Sequence, residues 1–194
     1  YTIELGRSFV SVEYQSTKAG AKALYALDNL WDGLGALVVV YPQIKYLFGK
    51  MTMYPSYPME CRNMILYFLD KYFHDDEKLV EPIQPLDANI NVARMQRLFV
   101  GGSFKEDYKI LNTQVRAAGF NIPPLVNSYM NLSPKMRMLG TAINDEFGDV
   151  EETGIFFAIA EIYEEKKIRH IRTFYERFID YRKDLIHRIR EYAR

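Results

Sequence analysis

The apolar residues of this 194-residue chain repeatedly change their period, and no other feature constrains the fold as tightly. From Thr2 to Val12 they fall at Ile3, Leu5, Phe9, Val10 and Val12, an alternation that predicts a well-buried strand. After the polar turn at Glu13 to Thr17 the spacing lengthens. Ala23, Leu27, Leu30 and Leu34 form one face of a helix, widened by Leu24 and Trp31. Gly33 and Gly35 weaken that helix, the run Val38 to Val40 does not help it, and Pro42 stops it. Ile44 to Met53 returns to a strand pattern, with Gly49 marking a bulge or a close backbone approach.

Met59 to Phe73 reads as a second helix and His74 to Glu77 as a solvated turn. Lys78 to Asp87 is too rich in proline for a helix. Two short helices follow, Asn89 to Phe99 and Lys105 to Ala118, joined at Gly101-Gly102. Asn121 to Leu132 sets Pro123-Pro124 at a helix start, where proline is tolerated. Strands are predicted at Arg137 to Asn144 and Thr153 to Ile162, and one long helix from Glu165 to Tyr192 ends the chain. The order is that of a mixed α/β fold with a helical insertion at about 88–133. Residues 1–163 read as one α/β portion and 164–194 as an amphipathic helix. Four strands are few for so much helix, so part of the sheet is expected to lie outside this chain.

Composition narrows the function classes. With 25 Lys+Arg against 25 Asp+Glu, no global field points to nucleic acid or a membrane. Cys61 is alone and makes no internal disulfide, and no histidine near it in sequence marks it as a nucleophile. His74, His170 and His187 are scattered, which argues against a zinc site. The longest apolar run, near GLGALVVVY, is far short of a membrane span.

Two stretches carry chemistry. The strand–turn–helix from Tyr1 to Leu34 is a natural anion site, because a helix start offers free amides and a favourable dipole. Its turn, QSTKAGA, is neither a P-loop nor a dinucleotide fingerprint, and an ordinary capped turn explains it as well. Within the strand, Glu4 and Arg7 point to opposite faces. A carboxylate buried there is a candidate general base, whereas one at a fraying chain end is merely exposed.

The segments ELGRSFV, NLWDGLG and YPQIKYLFGKMTM, then NIPPLVNSYMNL and NDEFGDVEETGIFFAI, stand in a particular order. That order, over residues 2 to 163, resembles the ornithine- and glycine-lipid type N-acyltransferases of the GNAT-like acyl-CoA N-acyltransferase fold, often labelled hemolysins. The Glu-x-x-Arg strand is also similar to that of acyl-homoserine-lactone synthases. The resemblance implies that this chain is the C-terminal portion of such an enzyme, with the earlier helices and strands preceding Tyr1.

It further implies a role for each matching residue. Glu4 would orient or deprotonate an amine acceptor, and Arg7 would anchor the strand or the acceptor's carboxylate. Phe9, Val10 and Val12 would offer backbone groups to pantetheine. The turn at Gln15, Ser16, Thr17, Lys18 and Gly20 would receive the phosphate end, and Phe48-Gly49 would lie where the sheet admits the thioester. Trp31, Pro124, Leu125 and Tyr129 would shape the acyl pocket. Core packing is the alternative for Trp31, and a simple hairpin turn for Asp145, Phe147 and Gly148.

The co-substrate implied is the phosphopantetheine of an acyl carrier protein, or acyl-CoA, with no permanently bound cofactor and no metal. QSTKAGA is out of register with the usual acetyl-CoA loop, which leaves room for the carrier protein. The expected activity transfers a long-chain (3-hydroxy)acyl group to the amine of glycine or ornithine, in aminolipid synthesis. A non-catalytic acyl-thioester or carrier-protein binding domain is the rival reading. A membrane-damaging protein is disfavoured, since no span or amphipathic membrane hairpin is visible.

The final helix carries more Lys and Arg than Asp and Glu. It would meet an acidic carrier protein or anionic lipid, or form a solvated face with intrahelical pairs such as Glu165–Arg169. Its near-heptad stripe would be a homodimer seam or the side that packs on the sheet. The expected location is cytoplasmic, with a peripheral place at the inner membrane face admitted.

Overall fold

The computed structural model describes residues 1–6, 11–12 and 21–192, with the side chains of 21–24, 27, 173 and 184–192 left aside. The elements run β1 (Thr2–Leu5), α1 (Ala21–Val40), β2 (Tyr46–Met53), α2 (Met59–Phe73), α3 (Val92–Leu98), α4 (Phe104–Ala117), α5 (Pro124–Met130), β3 (Arg137–Asn144) and β4 (Val150–Ala158). Then follow α6 (Glu164–Lys167), a π-helical segment (Ile168–Arg172) and α7 (Thr173–Tyr192). The fold is α/β, a four-stranded sheet with helices, in keeping with the GNAT-like expectation. The chain divides into two compact units. One comprises residues 1–3, 7–45 and 162–194, and the other 4–6 and 46–161.

The second unit holds most of the sheet, whose strand order is β1-β2-β4-β3. Among the described strands β1 is therefore an edge strand, joined to the second unit through Glu4 and Leu5. β2 pairs antiparallel with β4 from Tyr46↔Ala158 to Met53↔Glu151, so Leu47, Gly49 and Met51 share a face with Phe157, Ile155 and Thr153. β4 begins at Val150, three residues before the predicted start, because Glu151 and Glu152 do not end it. Glu151 pairs with the buried Arg62, and Glu152 with Lys50 at 2.8 Å. Beyond Ala158 the chain turns as a 3-10 segment, Ile159–Glu161, where strand was expected. Asp145, Phe147 and Gly148 form the β3–β4 turn, with Gly148 left-handed at φ 70°.

α2 forms over the predicted residues and is buried along most of its length. Phe68 is its hub, ringed by Phe99, Phe104, Tyr108 and Tyr72 at centroid distances of 5.9, 5.4, 6.3 and 4.9 Å. Beneath this cluster Asp107 is 0% exposed. It accepts hydrogen bonds from Lys71 Nζ at 2.7 Å, Tyr72 Oη at 2.6 Å and the Gly101 amide at 2.7 Å. Burial alone would raise its carboxyl pKa, but these three donors outweigh it and hold the group below the ordinary aspartate range. The network ties α2 to the start of α4, which Ser103 caps through the Glu106 amide.

The segment from His74 to Leu86 is largely exposed, as expected of the turn at His74 to Glu77, but it is anchored at Asp75 and along β3. Asp75 is buried and accepts the Leu79 amide at 2.7 Å. The chain then runs along β3, with bridges His74↔Met138 and Pro85↔Ala142 and a bond from the Leu86 amide to the Thr141 carbonyl at 2.7 Å. This covers the outer strand, which would otherwise present unpaired backbone groups.

In the first unit, one face of α1 receives the π-helical segment. Arg169 bonds Asp28 at 2.5 Å, and His170 Nδ1 meets Asp32 at 2.6 Å. A Cβ on Gly35 would lie 1.8 Å from the His170 carbonyl oxygen, so only glycine permits this approach. The long predicted helix is thus interrupted once, and Arg169 bonds Asp28, not the predicted partner Glu165. Leu30, on the apolar helix face expected from its spacing, is exposed.

Candidate functional site

The second unit brings three sequence-predicted features to one point on the sheet. Pro124 occupies the first turn of α5, where its missing N–H costs nothing. Val126, Tyr129 and Met130 then bury a single helix face at spacings of three and four. The helix is pinned at its flanks. Tyr108 Oη bonds Asn127 Oδ1 at 2.5 Å, and Tyr57 Oη donates to the Asn121 carbonyl at 2.9 Å. The Tyr129 ring lies against Phe157 of β4, centroids 5.7 Å apart.

That placement carries the Tyr129 hydroxyl over Gly49 of β2. A Cβ at residue 49 would stand 3.1 Å from this oxygen and 3.4 Å from Leu5 Cβ. Gly49 is therefore the close-approach glycine its strand position suggested. Leu5, Gly49 and Tyr129 converge where β1 meets β2. Burial pushes the Tyr129 hydroxyl up to about 12. At neutral pH the hydroxyl therefore keeps its proton.

Glu4 precedes Leu5, so the pleat directs it to the opposite face of the sheet from Tyr129. It is exposed, and its Oε1 lies 3.4 Å from where a Gly6 Cβ would be. Of the two readings open for this carboxylate, the exposed one holds among the described residues. Phe48 is half-buried and pairs in register with Phe156, whose ring stacks on Tyr46 at 5.2 Å. Pro124 is exposed and Leu125 half-buried. Trp31 is half-buried on α1, in the first unit. Val12 is exposed. Arg7, Phe9, Val10, Gln15, Ser16, Thr17, Lys18 and Gly20 lie outside the described residues.

Sequence reasoning missed several buried polar groups of this unit. Arg62 pairs with Glu151 and leaves its Nε without a partner. Thr141 and Thr153 join hydroxyls at 2.8 Å between β3 and β4. The partners are far apart in sequence, and only the β4 register could have revealed them. Cys61 is buried, and desolvation followed by the nearby Glu60 raises its thiol, which leaves it a poor nucleophile. Among the described residues no cluster of His, Cys, Asp and Glu could hold a metal ion, and no helix is long and apolar enough to cross a membrane.

No family model matches the sequence, and no solved structure matches it. Two curated proteins do. The glycine N(alpha)-acyltransferase of Phocaeicola vulgatus is 65% identical over 174 residues, covering 90% of this chain and 53% of its own length. The glycine N(alpha)-acyltransferase of Bacteroides thetaiotaomicron is 66% identical over 175 residues, covering 90% of this chain and 52% of its own length. The chain thus spans about half the length of the curated relatives it matches, and along that half it is closely similar to N-acyltransferases.

Proposed function

We propose that the protein is an N-acyltransferase that moves a long-chain (3-hydroxy)acyl group from a thioester to the α-amine of glycine, in aminolipid synthesis. The donor is acyl carrier protein, with acyl-CoA the other source of the same phosphopantetheine thioester. Similarity to two proteins named glycine N(alpha)-acyltransferase supports the reaction class and the acceptor. The observation that carries the site is the buried Tyr129 hydroxyl held over Gly49 beside Leu5.

The chemistry follows from the two faces. A planar thioester held in the plane of the sheet at the β1–β2 rim presents one side to Glu4 and the other to Tyr129. The amine nitrogen bonds to the carbonyl carbon from the Glu4 side. Glu4, directly or through a water, takes the nitrogen's proton and passes it to solvent. As the C–S bond breaks, negative charge develops on sulfur. With its pKa near 12, Tyr129 is a weaker acid than a thiol at about 8.5, so it supplies a hydrogen bond and does not surrender its proton. Sulfur takes its proton from solvent. A preorganised donor of this kind is worth roughly 10²–10³ in kcat.

The test is amine-dependent thiol release by the full-length protein, with its Tyr129→Phe and Glu4→Gln variants. Lowered kcat with little change in KM in both would match these roles. Wild-type turnover in Tyr129→Phe would remove the tyrosine from the mechanism. Carrier-protein binding without turnover on any amine would favour a binding domain.

A further inference from the structure

Helix α1 has two faces of opposite character. Asp28, Asp32 and Gly35 project to one side and hold the π-helical segment. On the other side, half a turn round at 3.6 residues per turn, lie Ala26, Leu30, Gly33, Leu37 and Val40, continued by Tyr41. Leu30, Leu37, Val40 and Tyr41 are 41%, 44%, 44% and 49% exposed. Between Ala26 and Tyr41 no charged residue interrupts this stripe.

Gly33 sits at its centre. Nothing lies within 4 Å of the position its Cβ would take, and its φ is not in the left-handed region. Glycine inside a helix is less stable than alanine, so a glycine with no neighbour to accommodate is unexplained by this chain alone. Gly35 two residues on shows the contrast, because there a backbone carbonyl occupies the space. A glycine flanked by leucines on one exposed stripe forms a notch into which another helix can seat closely.

We propose that this stripe is the docking face for the rest of the full-length polypeptide, with a helix of that part crossing α1 at Gly33 between Leu30 and Leu37. The relatives carry nearly as much chain again beyond the matched stretch, since this chain covers 53% and 52% of them. A covalently attached partner meets the face at high effective concentration, which favours it over a second copy. With no basic residue between Ala26 and Tyr41, the stripe offers little to an anionic lipid surface.

The experiment uses the full-length protein carrying Leu37→Cys. Alkylation at residue 37 is followed by mass spectrometry, separately from Cys61, in native buffer and in urea. The expected result is labelling at least about tenfold slower in the native protein than in urea, unchanged on dilution. Labelling within about twofold of the unfolded rate would overturn the proposal. So would protection that disappears on dilution, because a second copy would then be the cover. Gly33→Ala provides the second readout. A covered notch predicts a lower unfolding temperature for the full-length variant, and a rise would overturn the proposal.

Discussion

Replacing Gly49 with alanine is the most informative single perturbation of the candidate site. The new methyl carbon would stand 3.1 Å from the Tyr129 hydroxyl and 3.4 Å from Leu5 Cβ. Two terms oppose each other in stability. Removing glycine restricts the unfolded chain and contributes about 0.4–1 kcal/mol in favour of the variant. Overpacking a filled position costs about 1–3 kcal/mol. The net expectation is a loss of about 0–2.6 kcal/mol, which leaves the protein folded. Activity should fall further than stability, because the hydroxyl must yield by a few tenths of an ångström, and roughly tenfold in kcat is expected. Tyr129→Phe deletes the atom that the methyl meets. In that background Gly49→Ala should be less destabilising, with a coupling of about 1 kcal/mol, and should cost no further activity. Urea unfolding and thiol release on the four proteins of this cycle measure both quantities. Additive effects on stability and rate would show that residues 49 and 129 act independently, and would refute the assignment of the hydroxyl to this point.

Other outcomes follow from the same contacts. Asp107→Asn should cost about 3–5 kcal/mol in urea unfolding, since it strips the charge from a fully buried acceptor that Lys71, Tyr72 and the Gly101 amide share. The wild-type carboxyl is depressed, so its contribution is present above the ordinary aspartate pKa and lost as pH falls through the folded value. The acid limb of stability against pH should flatten in the variant. Tyr57 and Tyr129 are shifted the other way, from 10.0 to about 12, so their contribution is full below pH 10 and disappears as pH rises towards 12. Urea midpoints between pH 9 and 11.5 should record that decline. Gly140→Ala should destabilise by about 1–3 kcal/mol in thermal unfolding, because φ is +95° and Pro82 Cδ lies 2.9 Å from the new carbon. Cys61→Ala should leave turnover intact, and a slowed enzyme with an acylated Cys61 would contradict the direct-attack mechanism.

Local patterns predicted the fold wherever the decisive interactions were local. Met59–Phe73 and Arg137–Asn144 form over the expected residues because their periodicity and their proline and turn boundaries are strong. The departures arise where a distant partner decides. Glu151 and Glu152 look like a turn until Arg62 and Lys50 pair with them. The last helix is interrupted at Ile168–Arg172, where it packs against Gly35 and two aspartates of α1. The apolar content of β1 predicts a well-buried strand, and among the described strands it lies at an edge with Glu4 exposed. Two residues of the candidate site are legible in the sequence. Gly49 and Tyr129 were each singled out, one as a close-approach glycine and the other as an acyl-pocket residue. Only the packing of α5 on the sheet distinguishes Tyr129 from fourteen other tyrosines among the 15.

Thiol release tests the central claim most directly. Long-chain acyl carrier protein is supplied to the full-length protein, and glycine, ornithine, lysine and serine are added one at a time. The proposed function predicts glycine-dependent release, with kcat lowered roughly 10²-fold or more in Tyr129→Phe and KM little changed. Tight carrier-protein binding with no amine-dependent release would contradict it.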